Sequence, residues 1–403
     1  MYLRLWKARS AAPSPVCGGE RMFARALATA ILVSAAASVS LAAPDSSAID
    51  PRDISVSSTS FNPTLGDKVE VRLKVHKGGV LNAAILDRDG FPVRRLMTSG
   101  RVKHGRASLW WDGKDELGQI VPDEAYSLRL ELLGQARPDV YMPGDAPARA
   151  VKATPLYYDR IGGVFSYELP EPARVHVQAG VATLDDASGK RTGPVLRTLV
   201  NREPRLSGRV IEVWNGRDET GGYYVPDLPD FVMAVAATSL PENSIIVTGG
   251  RGKFMDTASR RVGESYFARR TSDHGHHQGL SALQDTSPNL VVTPGNASRS
   301  SETGRWTASG GNLEGVVTLE GPTTAAFSAE PAKLLVFVDK TLVQTLDRPA
   351  PGVRVEVPLD GLPGSEHLVA FNWVSDYGPV AVSSLLVRSE APVGGGIQPG
   401  GRR

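Results

Sequence analysis

The sequence predicts an all-β protein built from three consecutive β-sandwich domains. Apolar and polar residues alternate over short runs such as 69–75, which is the period of a half-buried strand, and no long segment has the 3.6-residue period of an amphipathic helix. The eight residues 111–118 are echoed by residues 214–221, which indicates that a whole domain is duplicated. The 403 residues include 42 glycines and 29 prolines, which suits a chain rich in turns.

Residues 1–43 have the features of a secretory signal peptide. A basic stretch leads into residues 26–43, eighteen small or apolar residues without a charge, and small residues at the −3 and −1 positions suit cleavage after Ala42. Met22 is a candidate for the true start of the chain. The alternative is an uncleaved anchor helix, since eighteen residues are just enough to span a bilayer. We expect cleavage, a periplasmic or extracellular cell-surface location, and a mature chain without a membrane span.

The composition excludes several classes of site. The single cysteine is Cys17, so the body of the chain holds no internal disulfide, no cysteine-based zinc site and no cysteine nucleophile. The formal net charge is +2, and residues 1–43 alone carry five basic groups and one acidic group, a net +4 that leaves about −2 for the remainder. A body with this charge gives no case for nucleic-acid binding.

The first domain is expected at residues 50–134 and its duplicate at residues 151–240. Both contain a block that reads Trp-Asp/Asn-Gly-Lys/Arg-Asp-Glu, beginning at Trp111 and at Trp214. In this block the Trp ends a strand and fills the core, Asx-Gly makes a turn, and the next Asp accepts backbone N–H groups. The acidic residues also suggest a calcium site, but a calcium loop needs about six to eight oxygen ligands and no extended DxDxDG loop is present.

Four motifs of the first domain together resemble a known family: Phe61-Asn62-Pro63, Val93-Arg94-Arg95-Leu96, the Trp111 block and Val121-Pro122-Asp123. They are similar to the FlgD-like immunoglobulin domain, which is named for the flagellar hook-capping protein. The resemblance covers residues 54–134 well and 155–238 more loosely, with an insertion at 183–193. It implies a small immunoglobulin-like β-sandwich without catalytic residues. Hook capping does not follow, because the hook cap is exported without a cleaved signal.

Residues 251–312 interrupt the β pattern with an Arg/His/Gly/Ser-rich stretch that is expected to be irregular. Three of the seven histidines lie within four positions there, at His274, His276 and His277. This histidine cluster suggests a site for Zn²⁺, Cu²⁺ or Ni²⁺, although its spacing matches no zinc motif such as H-E-x-x-H. Two other interpretations stay open, namely an exposed linker and a segment that becomes ordered on a partner.

Residues 313–390 return to short alternating runs and predict a third domain, so that the whole chain is expected to form three tandem immunoglobulin-like β-sandwich domains after the signal segment. The third domain lacks the Trp block and therefore belongs to a different subtype. His367 and Trp373 are expected to pack in its core or at its edge rather than to bind a ligand. The glycine-rich residues 391–403 are expected to be a flexible tail.

No catalytic motif is recognisable in the chain, which has no G-x-S-x-G elbow, P-loop, G-x-G-x-x-G or H-E-x-x-H sequence. We therefore expect a non-enzymatic exported scaffold or binding protein that contacts another protein, as an accessory subunit of a membrane-associated complex. Edge strands and the 251–312 segment are the expected contacts. One alternative is a metal-binding protein that uses the histidine cluster and a transition metal. The other is a carbohydrate-binding protein that uses exposed aromatic residues such as Tyr223, Tyr224 or Trp306.

Overall fold

The computed structural model describes residues 47–88, 90–185, 190–250, 289–321, 332–360, 362, 366–375 and 378–390. Within these ranges the regular elements are β-strands and three short 3-10 helices, Pro63–Leu65, Pro143–Asp145 and Val225–Asp227, which confirms the all-β prediction. The predicted signal peptide, the histidine cluster and the predicted flexible tail lie outside the described residues. In the described part of the chain, no helix has the length and apolar character that crossing a bilayer requires.

The first sandwich opens with eight strands: β1 (Ile49–Val56), β2 (Ser60–Phe61), β3 (Val69–Val75), β4 (Gly79–Leu86), β5 (Pro92–Val102), β6 (Gly105–Trp111), β7 (Ala125–Leu133) and β8 (Asp139–Tyr141). β1, β3 and β6 form one antiparallel sheet, and β4, β5, β7 and β8 belong to the sheet that faces it. Alternation along β3 buries Val69, Val71, Leu73 and Val75 against a core that contains Trp111.

The second sandwich contains nine strands: β9 (Ala150–Val151), β10 (Thr154–Asp159), β11 (Val164–Leu169), β12 (Ala173–Val181), β13 (Thr183–Asp185), β14 (Lys190–Thr192), β15 (Val195–Arg205), β16 (Gly208–Val213) and β17 (Phe231–Ser239). One sheet has the order β10-β11-β16 and the other the order β15-β12-β17-β9. β13 and β14 pair as a hairpin within the insertion seen in the sequence. The core of this sandwich is built around Phe165, Tyr167 and Leu169 of β11.

After the second sandwich the chain returns to the first, through β18 (Ile245–Val247). β18 lies between β7, with which it is antiparallel, and β2, with which it is parallel. Ile245 and Val247 are 0% and 1% exposed. The expected domain boundaries, 50–134 and 151–240, leave this strand out. A strand of three residues is too short to show alternation, and its pairing with β7 is remote in sequence.

The third sandwich is formed by β19 (Asn289–Pro294), β20 (Ala297–Arg299), β21 (Trp306–Ser309), β22 (Asn312–Glu320), β23 (Ala332–Val338), β24 (Thr341–Asp347), β25 (Val353–Pro358), β26 (Glu366–Ser375) and β27 (Gly378–Glu390). Its sheets have the orders β19-β22-β25 and β20-β21-β27-β26-β23-β24. Three of these strands lie within 289–309, in the stretch 251–312 that was expected to be irregular. β21 is four residues long and pairs in parallel with β27, so local sequence periodicity does not reveal it.

Candidate interaction surface

The repeated Trp block forms the same corner in the first and second sandwiches. The indole N–H of Trp111 donates to the backbone oxygen of Lys114 at 3.0 Å, and that of Trp214 donates to Arg217 at 2.8 Å. Asp115 Oδ1 accepts the backbone N–H groups of Leu117 and Gln119, both at 2.9 Å. The Trp fills the core and the Asp holds the turn, as the sequence predicts, so the block is structural.

The calcium alternative finds no support at the second corner. Asp218 Oδ1 accepts the backbone N–H of Gly222 at 2.6 Å, and its Oδ2 accepts the hydroxyl of Thr220 at 2.7 Å. The side chain of Asp218 is therefore engaged with its own turn. Among the residues that the structure describes, no group of three or more His, Cys, Asp or Glu side chains is placed to hold a metal ion.

A buried ion triad joins the first sandwich to the second. Glu124 receives Arg88 Nη1 at 3.0 Å from its own sandwich and Arg174 Nη1 at 2.7 Å from the second. The three residues are 2%, 7% and 7% exposed, in that order. Arg174 also donates to the backbone oxygen of Arg202 at 2.9 Å. Because removing one partner from such a group leaves an uncompensated buried charge, the triad fixes how these two sandwiches meet.

A groove of about 710 Å³ also lies between the first and second sandwiches, and Tyr141 and Asn243 are among its lining residues. Asn243 Nδ2 donates to the hydroxyl oxygen of Tyr141 at 2.8 Å and to the backbone oxygen of Ile54 at 3.3 Å. Burial raises the pKa of Tyr141 to about 12, against the hydrogen bond from Asn243, which lowers it. These contacts tie the segment before β18 to the end of β8.

The second and third sandwiches meet through an apolar cluster that includes Trp214 and Leu196 from the second and Phe337 and Leu368 from the third. The side chain of Asn372 closes this junction. Its Oδ1 accepts the backbone N–H of Val195 at 2.9 Å and its Nδ2 donates to the backbone oxygen of Val195 at 2.7 Å.

The aromatic residues of the carbohydrate alternative lie at or near this second junction. Tyr223 donates its hydroxyl to Ser384 Oγ at 2.8 Å, and burial raises the pKa of its phenol. Tyr224 donates to the backbone oxygen of Arg160 at 2.8 Å. Tyr223 and Trp306 both line a cavity of about 190 Å³ between the two sandwiches. The two tyrosine hydroxyls are thus engaged in holding the fold.

The histidine cluster at His274, His276 and His277 lies outside the described residues, so it stays a prediction. His367 and Trp373 are described and are 2% and 1% exposed in the third sandwich. His367 Nδ1 lies 3.1 Å from Asp339 Oδ2. Both residues pack in the fold as the sequence predicts.

The outer face of the sheet β10-β11-β16 exposes three large apolar side chains toward its Val213 end, while Glu168 and Arg209 lie opposite each other at its other end. Tyr157 of β10 is 59% exposed, and Ile211 and Val213 of β16 are 56% and 81% exposed. Val164, which is half-buried, lies opposite Val213. Ser166, which pairs with both Tyr157 and Ile211, is 0% exposed. We call Tyr157, Val164, Ile211 and Val213 the outer patch. A contiguous exposed apolar patch is typical of an interaction site.

The duplicated sheet β1-β3-β6 of the first sandwich provides a control for this patch. Counting back 103 residues from Ile211 and Val213 gives Ser108 and Trp110, and the strand beside them presents Glu70, Arg72 and Lys74 outward. Charged and hydroxyl side chains therefore occupy the first face, apart from Trp110, which is 58% exposed. The two faces share an exposed apolar residue, Val213 in the second and Trp110 in the first, and they differ at Ile211 and Val164, which stand in place of Ser108 and Glu70.

The outer patch also borders strand edges. β10 and β16 are the two outermost strands of their sheet in the described chain. β10 contains Pro155, which cannot donate to an added strand, whereas β16 (Gly208–Val213) contains neither proline nor lysine. The sequence signal for this edge is the pair Val210-Ile211, because two adjacent apolar residues of a strand point to opposite faces, whereas a half-solvated strand alternates apolar and polar residues.

Comparisons with known proteins give little beyond the fold. No protein-family model matches the chain, and no curated protein matches it. The chain is similar to the solved tetra-tandem repeat in the extending region of a large adhesion protein, at 12% identity and a TM-score of 0.18, over 84% of this chain and 74% of that chain. A structure from a 1.5-MDa bacterial ice-binding adhesin gives 11% identity and a TM-score of 0.18, over 86% of this chain and 98% of that one.

A third similar structure is the native conformation of E. coli alpha-2-macroglobulin, at 10% identity and a TM-score of 0.18, over 83% of this chain. This chain spans 23% of the length of the macroglobulin. At TM-scores of 0.18, none of these similarities establishes a function.

Proposed function

We propose that this chain is an exported, non-enzymatic scaffold protein that binds another protein through the outer patch of its second sandwich. The observation that carries this proposal is the exposure of Tyr157, Ile211 and Val213 on one sheet face, with Val164 beside them where the first sandwich has Glu70. Burying Tyr157, Ile211 and Val213 against a partner gains free energy of roughly 25 cal/mol per Å² of apolar surface. The open edge of β16 adds backbone groups that an incoming strand can pair with.

The location and family belong to the same proposal. The basic and apolar leader, residues 1–43, supports export to the periplasm or the cell surface. The motifs and the matching Trp corners support a FlgD-like immunoglobulin subtype for the first two sandwiches. Because an exported chain with a protein-binding face can attach to proteins outside the cytoplasm, we propose that it is an accessory subunit on the outer side of a membrane-associated complex.

The test is a pull-down of the tagged mature chain from detergent-solubilised membranes of its host, with three matched baits. The first bait is unchanged, the second carries Ile211→Ser and Val213→Ser, and the third carries Trp110→Ser in the equivalent face of the first sandwich. All three substituted positions are exposed, so the baits are expected to fold alike. We expect a stoichiometric partner with the first and third baits and its loss with the second.

Equal capture by the second bait would overturn the proposal, as would loss with the third bait alone. Metal analysis of the same eluates addresses the metal-binding alternative. One equivalent of transition metal in the eluate that disappears with His274→Ala, His276→Ala and His277→Ala, without any protein partner, would favour that alternative.

A further inference from the structure

Two adjacent turns at one end of the first sandwich gather a set of basic side chains. The β3–β4 turn and the β5–β6 turn touch, since a Cβ placed on Gly78 would lie 3.6 Å from the Cα of Lys103. Four exposed basic residues lie on these turns and the strand ends beside them, and we call them the basic tip: Lys74, Arg101, Lys103 and Arg106.

No carboxylate of the described residues forms an ion pair with the basic tip. Lys74 lies directly opposite Arg106 in the β3–β6 ladder, and like charges in that position are destabilising. Neither side chain forms an ion pair with a described carboxylate. Of the neighbouring acids, Asp53 is bound to His76 at 2.6 Å and Glu70 to Arg72 at 2.6 Å. A cluster of exposed cations without paired carboxylates favours binding of a negatively charged ligand.

The duplicated second sandwich shows that the fold does not demand this charge. Opposite Arg209, which corresponds to Arg106, lies Glu168 instead of a lysine. The nearby Arg205 is paired with Glu203 at 2.9 Å and with Glu212 at 2.8 Å. The second sandwich therefore balances its cations at the same end, and the first sandwich does not.

The basic tip also lies where the chain leaves the leader. The described chain begins at Ser47, and the backbone N–H of His76 donates to the oxygen of Ala48 at 2.9 Å, next to the β3–β4 turn. Three residues separate the end of the apolar run 26–43 from Ser47 in the sequence. An uncleaved leader would thus hold the basic tip against the headgroups of the membrane.

The second sandwich is attached at the other end of the first. Gln135, just after β7, donates to the backbone oxygen of Gly78 at 3.2 Å, whereas Glu124, just before β7, pairs with Arg174 of the second sandwich. β7 has nine residues, which corresponds to roughly 30 Å. The basic tip is therefore remote from the contact with the second sandwich and free to meet a surface.

We propose that the basic tip binds the anionic headgroups of a lipid membrane. Guanidinium and ammonium groups pair well with lipid phosphates, and each Lys or Arg near an anionic bilayer strengthens binding about fivefold. This attraction holds the first sandwich at the membrane whether the leader is retained or removed, and it falls with added salt. The basic tip lies on the first sandwich and the outer patch on the second. An experiment can therefore contradict lipid binding by the tip without contradicting protein binding by the patch.

The test uses the chain Ala43–Arg403 and co-sedimentation with vesicles of phosphatidylcholine, with and without phosphatidylglycerol. The tip variant carries Lys74→Gln, Lys103→Gln and Arg106→Gln. The control variant loses the same charge at exposed positions elsewhere, through Arg209→Gln, Arg354→Gln and Arg388→Gln. Circular dichroism checks that each variant is folded.

We expect salt-sensitive binding to the anionic vesicles, no binding to the neutral ones, and a loss on the order of 100-fold in the tip variant with little change in the control. The proposal is overturned if the tip variant binds like the unchanged chain or if both variants lose affinity equally. It is also overturned if neutral vesicles bind as well, or if the chain ignores vesicles and binds an acidic polysaccharide or an acidic protein through the tip instead.

Discussion

The junction between the first and second sandwiches is held by buried charge, and the junction between the second and third by apolar packing. At the first, Glu124 lies between two buried arginines, Arg88 and Arg174. At the second, an apolar cluster is closed by the amide of Asn372. A buried ion group tolerates one arrangement, because any shift leaves a charge without its partner, whereas apolar surfaces slide at less cost. The first junction therefore fixes the relative orientation of its two sandwiches. The second junction stabilises the contact by burying apolar side chains.

The largest effect is expected from Glu124→Ala, which breaks the first junction. The substitution leaves Arg88 and Arg174 buried without their shared carboxylate, and we expect a loss of about 3–5 kcal/mol in the free energy of unfolding. Urea unfolding followed by tryptophan fluorescence measures it. Asp347→Ala is the control, because the ion pair of Asp347 with Lys333 is exposed and its loss should cost at most about 1 kcal/mol. Equal losses in the two variants would contradict a special role for the triad.

Ile245→Ala tests the strand that returns to the first sandwich. Ile245 is fully buried between β2 and β7, and truncating it is expected to lower the free energy of unfolding by about 2–5 kcal/mol. Calorimetry of the intact chain would show the lower transition. Ile211→Ala, at a side chain that is 56% exposed, should change stability by less than about 0.5 kcal/mol. A silent Ile245 variant would mean that β18 is not part of the first core in solution.

Asn372→Ala weakens the second junction more gently. It removes both hydrogen bonds to Val195, whose backbone N–H and oxygen then lack these partners in a buried site, and we expect a cost of about 1–3 kcal/mol. The same calorimetric experiment measures it, with Asn289→Ala at an exposed strand end as the matched control. Equal melting temperatures for the two variants would show that the Asn372 amide does not stabilise the second junction.

The smallest effect concerns alkaline pH at the first junction. Burial raises the pKa of Tyr141 to about 12, so the folded protein holds this proton more tightly than the unfolded chain does. The stability that follows is fully present below about pH 10 and is lost as the pH rises toward 12. Stability measured at several alkaline pH values should fall less steeply in Tyr141→Phe. Identical pH profiles for the two proteins would contradict this assignment.

The local parts of the fold were predictable from the sequence because their signals are local. The alternation along Val69–Val75 and the Trp111 and Trp214 corners report strands and turns whose causes lie within a few residues. The burial of His367 and Trp373 was predictable in the same way.

The parts that were missed depend on pairing between remote residues. β18 belongs to the first sandwich only because it fits between β2 and β7, and β21 is a strand because β27 lies beside it. The outer patch required the register of β10, β11 and β16, since an apolar residue in a strand does not reveal which face it takes. The ion triad required Glu124 and Arg174 to be brought together across fifty residues.

The return of β18 also sets the order in which the sandwiches can be completed during synthesis. A chain that emerges from its amino end exposes β1 to β8 first, yet the first sandwich lacks Ile245 until the whole of the second has followed. The second sandwich is contiguous and has every strand it needs by residue 239, so it can finish before its neighbour. The first sandwich therefore stays incomplete beside β7 until the later strand β18 has been synthesised. Until β18 pairs with it, the edge of β7 has unpaired backbone groups, which a chaperone can bind or a wrong strand can pair with.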